Sequence, residues 1–230
     1  MAEVIIALDQ PRGADALALL DRLPDLRWVK VGSILMTREG PSLVRQLIGR
    51  GLKVFLDLKW YDIPNTVAGA VTAAREMGVS MATVHTLGGT RMLEAAAVAA
   101  GTDLDLVGVT VLTSQDSAEY SRAVGRNEVD LSREVERQAL VAAAAGLRGV
   151  VCSPLEVSLL RRRLGPDLHI VVPGIRRRSD PAEDQVRVAT AQDASSHGAT
   201  HLVVGRPVLQ ALDPAAALEE IVREAQCGRS

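Results

Sequence analysis

Short apolar runs rich in β-branched residues recur along this chain, and each is followed by a stretch rich in Ala, Leu, Glu and Arg. The runs are typical of buried strands and the stretches are typical of helices. This alternation predicts βα units around a parallel sheet. The predicted strands lie at 4–9, 27–32, 53–59, 81–85, 106–112, 149–152, 169–173 and 201–205. Eight parallel strands, each followed by a helix, are the arrangement that closes into a barrel.

The strands are continuous apolar runs, as expected when helices cover one face and the barrel interior covers the other. We therefore expect an α/β protein with a single-domain (β/α)₈ TIM barrel over residues 1–230. An open doubly wound sheet is the rival fold, and it is disfavoured because no G-x-G-x-x-G follows the first strand. The polar segment 114–130 is predicted to be a loop over the active-site end that can hold a short helix.

The charge balance argues against a large anionic partner. Lys and Arg number 26 and Asp and Glu number 28, so no global field favours nucleic acid or an anionic membrane. Aromatic residues make up 2% of the chain, which leaves little for the stacking of bases. We expect neither nucleic acid nor a membrane as a partner, and any small anion must be held locally.

The cysteines and the first residues bear on the compartment. Cys152 and Cys227 have neither the spacing of a disulfide framework nor that of a metal site. Residues 1–10 place an acid before a short apolar run, unlike a signal peptide, and no apolar stretch approaches the ~18 residues of a membrane span. The cytoplasm is therefore the expected location.

Charged residues end three of the predicted strands. Asp9, Lys30, Asp57 and Lys59 occupy these positions, and the carboxyl ends of barrel strands converge on one mouth, where active sites are built. Asp57 and Lys59 are two residues apart, so a regular strand points both side chains to the same side. Asp62 follows in the turn. A single charge of this kind is often only solvated, but the set together predicts a site for proton transfer.

A second group of candidates lies in the segments 171–180 and 203–208. Gly174 and Gly205 end the seventh and eighth predicted strands, and the loops after those strands are the usual phosphate site of this fold. Arg206 follows directly and can grip a phosphate with two hydrogen bonds. The sequence therefore predicts a phosphate site here.

Three consecutive arginines follow the seventh strand. The simplest interpretation of such a run is an exposed basic loop, and we accept it for Arg177 and Arg178. We keep Arg176, together with Arg206, as a phosphate candidate.

The histidines and one hydroxyl segment complete the candidates. The histidines of the chain are His85, His169, His197 and His201. They lack the spacing of metal ligands, so we expect no metal site. His85 ends a strand, but a hydrogen-bonded structural role is the favoured interpretation. The L-T-S at 112–114 places a hydroxyl and amides over the mouth, or else caps a turn.

The run DLKWYDIPNTV at 57–67 fits the pattern D-x-K-x-x-D-I-x-x-T, and with it the chain resembles the orotidine 5′-monophosphate (OMP) decarboxylase family. The resemblance continues in order through ALD (7–9), VKVG (29–32), TVLTS (110–114), VCSP (151–154), PGIR (173–176), DQ (184–185) and VVGRPV (203–208). D-x-K-x-x-D alone also occurs in a sister group of sugar-phosphate decarboxylases and synthases. The I-P-N-T continuation and the later segments favour the nucleotide enzyme.

The resemblance implies a role for residues of the first cluster. Asp57, Lys59 and Asp62 look like the catalytic charges, with Asp62 reaching across a homodimer interface into the partner's site. Asp9 and Lys30 look like contacts to the ribose hydroxyls and the charge network. Like Asp62, Thr66 is implied to reach the partner's site.

The resemblance also implies roles for residues later in the chain. Thr113 looks like the reader of the pyrimidine amide edge, and Pro173 like a contact to the ring. Gln185 and Arg206 look like phosphate ligands, and Arg176 like part of the loop that closes over the phosphate. The implied reaction uses no cofactor.

Two alternatives remain at this point. A sugar-phosphate decarboxylase or aldol-type synthase of the sister group would use Mg²⁺, so EDTA separates it from the nucleotide enzyme. A phosphate-ligand sensor without catalysis is the second alternative. It gives no function to Lys59, which lies between two acidic residues in the sequence.

Overall fold

The computed structural model of the chain describes residues 2–177 and 189–227. Eight parallel strands pair in chain order, and β8 returns to β1, so the sheet closes into a barrel. The strands are β1 (Glu3–Leu8), β2 (Trp28–Gly32), β3 (Lys53–Trp60), β4 (Met81–His85), β5 (Asp105–Val109), β6 (Gly149–Val151), β7 (His169–Val172) and β8 (His201–Val204). The predicted (β/α)₈ TIM barrel is confirmed.

Helices alternate with these strands and cover the outside of the barrel. They are α1 (Gly13–Leu20), α2 (Ser33–Gly49), α3 (Pro64–Glu76), α4 (Thr90–Ala100), α5 (Ser117–Ala123), α6 (Leu131–Ala144), α7 (Val157–Leu164), α8 (Ala191–Ser196), α9 (Arg206–Leu209) and α10 (Pro214–Cys227). Short 3₁₀ turns follow β4 at Thr86–Gly88 and β6 at Pro154–Glu156. Within the described residues, no helix is long and apolar enough to cross a membrane.

The strands carry apolar side chains on both faces, which is why they appear as unbroken apolar runs. In β1, Ile5 and Ala7 belong to a cluster inside the barrel, whereas Ile6 and Leu8 belong to the larger cluster beneath the helices. This is the two-residue alternation of a strand that is buried on both faces. The inner cluster consists of Ile5, Ala7, Trp28, Phe55, Met81, Val107, Val171 and Val203.

All eight strands were predicted, and the largest error is at the end of β5. The predicted strand runs to residue 112, but regular pairing ends at Val109. At the next position the Thr110 hydroxyl donates to the Val151 carbonyl at 2.8 Å, and the Thr110 amide donates to the same oxygen at 3.3 Å. The predicted loop at 114–130 contains the short helix α5, capped by the Asp116 side chain on the amide of Glu119.

Aromatic and polar side chains close the barrel at the amino ends of the strands, opposite the mouth. The Trp28 and His201 rings meet edge to face with centroids 5.4 Å apart, and the His201 and His169 rings do so at 4.9 Å. His169 Nε2 lies 3.3 Å from Asp105 Oδ2. Burial, and then the neighbouring His169, lower the pKa of His201 to about 4. His201 is therefore a neutral, buried histidine at neutral pH.

A buried polar network joins α5 to α6. The Tyr120 hydroxyl donates to Glu134 at 3.0 Å, and Gln138 donates to both of them, at 2.7 and 2.9 Å. The Thr86 hydroxyl donates to Gln138 at 2.7 Å, and the Arg137 guanidinium donates to Glu134 at 2.6 Å. The hydrogen bond from Arg137 is the main reason that the pKa of Glu134 falls to about 2. The segment after β5 is thereby fastened to the barrel by an ionised carboxylate.

Candidate active site

A cavity of about 310 Å³ opens at the carboxyl ends of the strands. Its size is at the lower end of the range for small-molecule sites, and its place is the usual one for this fold. Nine of the twelve predicted site residues line it: Asp9, Lys30, Asp57, Lys59, Thr113, Pro173, Arg176, Gly205 and Arg206. The structure thus brings residues from six strand ends together around one space.

Four alternating charges run across the ends of β1, β2 and β3. Lys30 Nζ lies 3.2 Å from Asp9 Oδ1 and 3.7 Å from Asp57 Oδ2. Lys59 Nζ lies 2.9 Å from both carboxylate oxygens of Asp57. Because these strands are neighbours in the sheet, the order acid, base, acid, base is fixed by the barrel itself. Asp57 is the centre of the row, with an ammonium group on each side.

The backbone of Lys59 departs from a regular strand. Its φ is +51°, and among the described residues it is the one non-glycine with a positive φ. The pairing of β3 with β4 shifts register between Leu56 and Trp60, which is a bulge. A left-handed conformation at a residue with a side chain costs about 1–3 kcal/mol, and such conformations cluster at functional sites. Lys59 therefore reaches Asp57 through the bulge, whereas the sequence argument used the two-residue repeat of a regular strand.

The far side of the cavity has the features of an anion site. Gly174 follows β7 with φ of +82°, a conformation that favours glycine. The Arg176 amide donates to the Ala189 carbonyl at 3.0 Å, which anchors the start of the loop. Gly205 follows β8, and Arg206 begins the short helix α9. These groups face the same cavity as the charge row.

The cavity carries an excess of positive charge and an apolar floor. Lys30, Lys59, Arg176 and Arg206 outnumber the two lining acids, so an anionic ligand is favoured. The floor is made of apolar side chains from the strands and from the segment after β5: Ala7, Phe55, Val109, Val111, Val151 and Val203. A flat apolar group with a phosphate fits this combination.

Two of the predicted site residues that the structure describes, Asp62 and Thr66, do not line the cavity. Asp62 is exposed, and its Oδ1 accepts from the Ile63 amide at 2.6 Å. Thr66 is exposed on the first turn of α3. Gln185 lies outside the described residues, as does Arg178. Arg177 does not line the cavity, but it is half-buried, so the prediction that it is exposed is wrong.

His85 has a structural contact, as the sequence argument favoured. Its Nδ1 accepts from the Leu87 amide at 3.3 Å, and its ring lies 6.0 Å from that of Tyr61. Burial, and then the charge of Lys59, lower its pKa. In the described part of the chain, no three His, Cys, Asp or Glu side chains are grouped so that they could hold a metal ion.

Comparison with known proteins decides the family. A sequence model described as the Orotidine 5′-phosphate decarboxylase / HUMPS family matches residues 2–221. The chain belongs to this family. It is 51% identical over 227 residues to the orotidine 5′-phosphate decarboxylase of Chromohalobacter salexigens, covering 96% of this chain and 94% of that protein. It is 50% identical to the enzyme of that name from Halorhodospira halophila, with the same coverage.

A solved structure gives the same result. The fold is similar to the crystal structure of orotidine 5′-phosphate decarboxylase from Lactobacillus acidophilus, with a TM-score of 0.86 and 34% identity over 98% of this chain and 99% of that one. The family resemblance drawn from the sequence is therefore confirmed, and the chain is a carbon–carbon lyase of the orotidine 5′-phosphate decarboxylase / HUMPS family.

Sequence reasoning missed one buried residue beside the family signature. Thr83 accepts a hydrogen bond from the Lys59 amide at 2.8 Å and donates to Asp57 Oδ1 at 3.1 Å. The sequence feature that could have indicated Thr83 is a hydroxyl side chain within the apolar run M-A-T-V of β4. Its importance depends on the bulge in β3, which no local pattern indicates.

Proposed function

We propose that this chain decarboxylates OMP to UMP, the step that supplies UMP in pyrimidine biosynthesis, without a cofactor. The observation that carries the proposal is the row Asp9, Lys30, Asp57, Lys59 on one wall of a cavity whose other wall holds Arg176 and Arg206. A decarboxylase for a nucleotide needs a cation at the reacting carbon and an anion site at a distance from it. Membership of the family supports the same conclusion.

The reaction leaves an electron pair on C6 of the pyrimidine when CO₂ departs. An ammonium group placed beside that carbon stabilises the developing charge and then delivers a proton to it. Lys59 is assigned this role because its ammonium faces the cavity and is already aimed by Asp57. No electron-withdrawing cofactor is needed, because the charge is stabilised electrostatically.

Asp57 is assigned a second effect on the bound substrate. Its carboxylate lies beside the place proposed for the substrate carboxylate, and two unit charges ~4 Å apart repel by roughly 4 kcal/mol at an effective dielectric near 20. Enzymes typically lower barriers by about 8–23 kcal/mol, so this repulsion covers only part of the effect. Stabilisation of the transition state by Lys59 is therefore given the larger share.

The remaining contacts follow from the lining of the cavity and the family signature. Asp9 and Lys30 are proposed to bind the ribose hydroxyls, and Thr113 and Pro173 to contact the pyrimidine.

The phosphate is assigned to the backbone around Gly205 and to the side chains of Arg176, Gln185 and Arg206. Binding energy collected there, away from the reacting carbon, can be used to close the site and exclude water.

The homodimer with shared sites is proposed from the surface around Asp62. Tyr61 and Ile63 flank it and are 64% and 66% exposed, and Leu87 lies just after the neighbouring strand and is 38% exposed. Large apolar side chains exposed together indicate an interface. A two-fold interface here would bring Asp62 and Thr66 of one chain to the mouth of the other, building two equivalent sites.

The proposal is tested by incubating the purified protein with OMP in EDTA and measuring UMP and CO₂. We expect UMP and CO₂ to form in equal amounts, and we expect EDTA not to reduce the rate of their formation. Turnover of a sugar phosphate, by decarboxylation or by an aldol-type reaction, that stops in EDTA, with no turnover of OMP, would instead identify the sister group. Phosphate-ligand binding without turnover of either substrate would identify a sensor.

A further inference from the structure

Thr83 lies directly behind the charge row. It is fully buried in β4 and does not line the mouth cavity, so it has no direct access to a bound substrate. Its hydroxyl is 2.8 Å from the Lys59 amide nitrogen and 3.1 Å from Asp57 Oδ1. One buried hydroxyl thus contacts both members of the closest ion pair in the site.

The bulge explains why this residue takes both contacts. Leu56 pairs with Ala82 and Trp60 pairs with Val84, so Thr83 alone faces the three residues of β3 that lie between them. Two of those three are Asp57 and Lys59. A bulge leaves backbone groups outside the regular ladder, and a nearby side chain must bond them if they are buried.

The direction of the two hydrogen bonds is fixed by chemistry. A backbone amide only donates, so the Thr83 oxygen accepts from Lys59. An ionised carboxylate only accepts, so the single hydroxyl proton of Thr83 is directed to Asp57. The first bond supports the left-handed backbone of Lys59, and the second restrains the rotation of the Asp57 carboxylate.

We propose that Thr83 is a positioning residue that aims the Lys59 ammonium, by bonding the Lys59 backbone and the Asp57 carboxylate at once. Thr83 acts through these two residues and is not itself catalytic. The proposal rests on the proposed decarboxylase function. It deepens that function by naming what holds the proton donor in an unfavourable backbone conformation.

The test compares Thr83→Val with Thr83→Ser. Valine keeps the shape and the β-branch but removes the hydroxyl, and serine keeps the hydroxyl. We expect Thr83→Val to lower kcat for OMP by about 10- to 100-fold, the effect of losing a hydrogen bond to a charged group. KM should change by less than about twofold, because the lost interaction serves the transition state. Thr83→Ser should keep kcat within about threefold of wild type.

A matched control separates positioning from general stability. The Ser195 hydroxyl is also buried and donates to the Ala225 carbonyl at 2.7 Å, between α8 and α10. Ser195→Ala removes a buried hydrogen bond far from the mouth and should leave kcat unchanged. If Thr83→Val does not fold, Thr83→Ala removes the same hydroxyl and enters the same assays.

Crystal structures of the variants give a readout that does not depend on activity. In the variant without the hydroxyl, Thr83→Val or its substitute Thr83→Ala, Lys59 should leave the left-handed region or lose its contact with Asp57. In Thr83→Ser, Lys59 should keep both its backbone conformation and this contact. An unchanged Lys59 geometry with unchanged kcat in the variant without the hydroxyl would overturn the positioning role. If the wild-type protein is inactive on OMP but Lys59 is displaced in the variant without the hydroxyl, the proposed function alone is overturned.

Discussion

Lys59 Nζ lies within 2.9 Å of both carboxylate oxygens of Asp57, although the two residues are joined through a bulged, left-handed segment of β3. The side chains of this pair are 40% and 15% exposed, so the ammonium side faces the open mouth. The pair is held by contacts within the chain itself, including the hydrogen bond from Thr83 to Asp57. Charges arranged before the substrate arrives need little reorganisation during the reaction, which is the condition for strong electrostatic catalysis.

The phosphate site predicts a substrate-dependent effect of Arg206→Ala. We expect kcat/KM for OMP to fall about 10- to 100-fold, because a hydrogen bond between charged groups contributes roughly 1.5–3 kcal/mol. Orotidine lacks the phosphate and should be turned over equally by both proteins. Arg177→Ala is the matched control, since this arginine follows Arg176 in the chain but does not line the cavity. Equal losses for both substrates would show that Arg206 supports the structure instead.

The shared site predicts rescue between two inactive variants. In a mixed dimer of Lys59→Ala with Asp62→Ala, one site collects both defects and the other collects none. Random exchange makes half of the dimers mixed, so about a quarter of all sites should regain wild-type turnover. The measurement is the rate of the remixed sample after subunit exchange has been verified by mass. A sample as inactive as its parents would mean that Asp62 acts within its own chain.

The strands were predictable because each one is a local pattern, whereas the geometry of the site depends on contacts between strands. The apolar runs and the residues at their ends already indicated the barrel and most of the residues at its mouth, and the family resemblance added Pro173. The left-handed backbone of Lys59 follows from the pairing of β3 with β4, and the role of Thr83 follows from that bulge. Neither can be derived from a sequence window, because the partners are 24 residues apart.

The contacts assigned to Asp62 and Thr66 could not be predicted from strand patterns. Asp62 was predicted to lie in the turn after the third strand and is found there, and Thr66 lies on the first turn of α3. Their assigned contacts belong to the proposed second chain, so a single barrel leaves them in solvent.

The buried His201 predicts a loss of stability in mild acid. Its pKa is lowered to about 4 in the folded chain, so between the ordinary value of 6.5 and about 4 the unfolded chain binds more protons. The free energy of unfolding should therefore fall by roughly 2 kcal/mol between pH 7 and pH 5, at about 1.4 kcal/mol per pKa unit.

Urea unfolding at the two pH values tests this histidine. His85 contributes in the same direction, because its pKa is also lowered, so the informative quantity is the difference between wild type and His201→Gln. The variant should lose most of that pH dependence, and His197→Gln, at an exposed position, should keep it. Identical pH dependence in all three proteins would contradict the account.

The network around Glu134 predicts a loss of stability without a change at the reacting groups. Glu134→Gln removes the charge that Arg137 and Arg126 contact, and it should lower the free energy of unfolding by about 1–3 kcal/mol at neutral pH. Because the pKa of Glu134 is lowered to about 2, this contribution is complete above pH 4.5 and is lost as the pH falls toward 2. Glu94→Gln, at an exposed position on α4, should change stability little. Equal unfolding curves for the two variants at pH 7 would contradict the prediction.

The central claim is that Lys59 supplies the positive charge and the proton at C6 without help from a metal. It is tested by following the absorbance of OMP in EDTA with wild type, Lys59→Ala and Lys53→Ala. Lys53 begins the same strand at the closed end of the barrel, over the Trp28 ring, and its variant should keep full activity. The account predicts wild-type turnover in EDTA and less than about a hundredth of the wild-type kcat for Lys59→Ala, since general acid catalysis alone contributes 10²–10⁴-fold. No wild-type turnover in EDTA, or a larger residual kcat in Lys59→Ala, would contradict it.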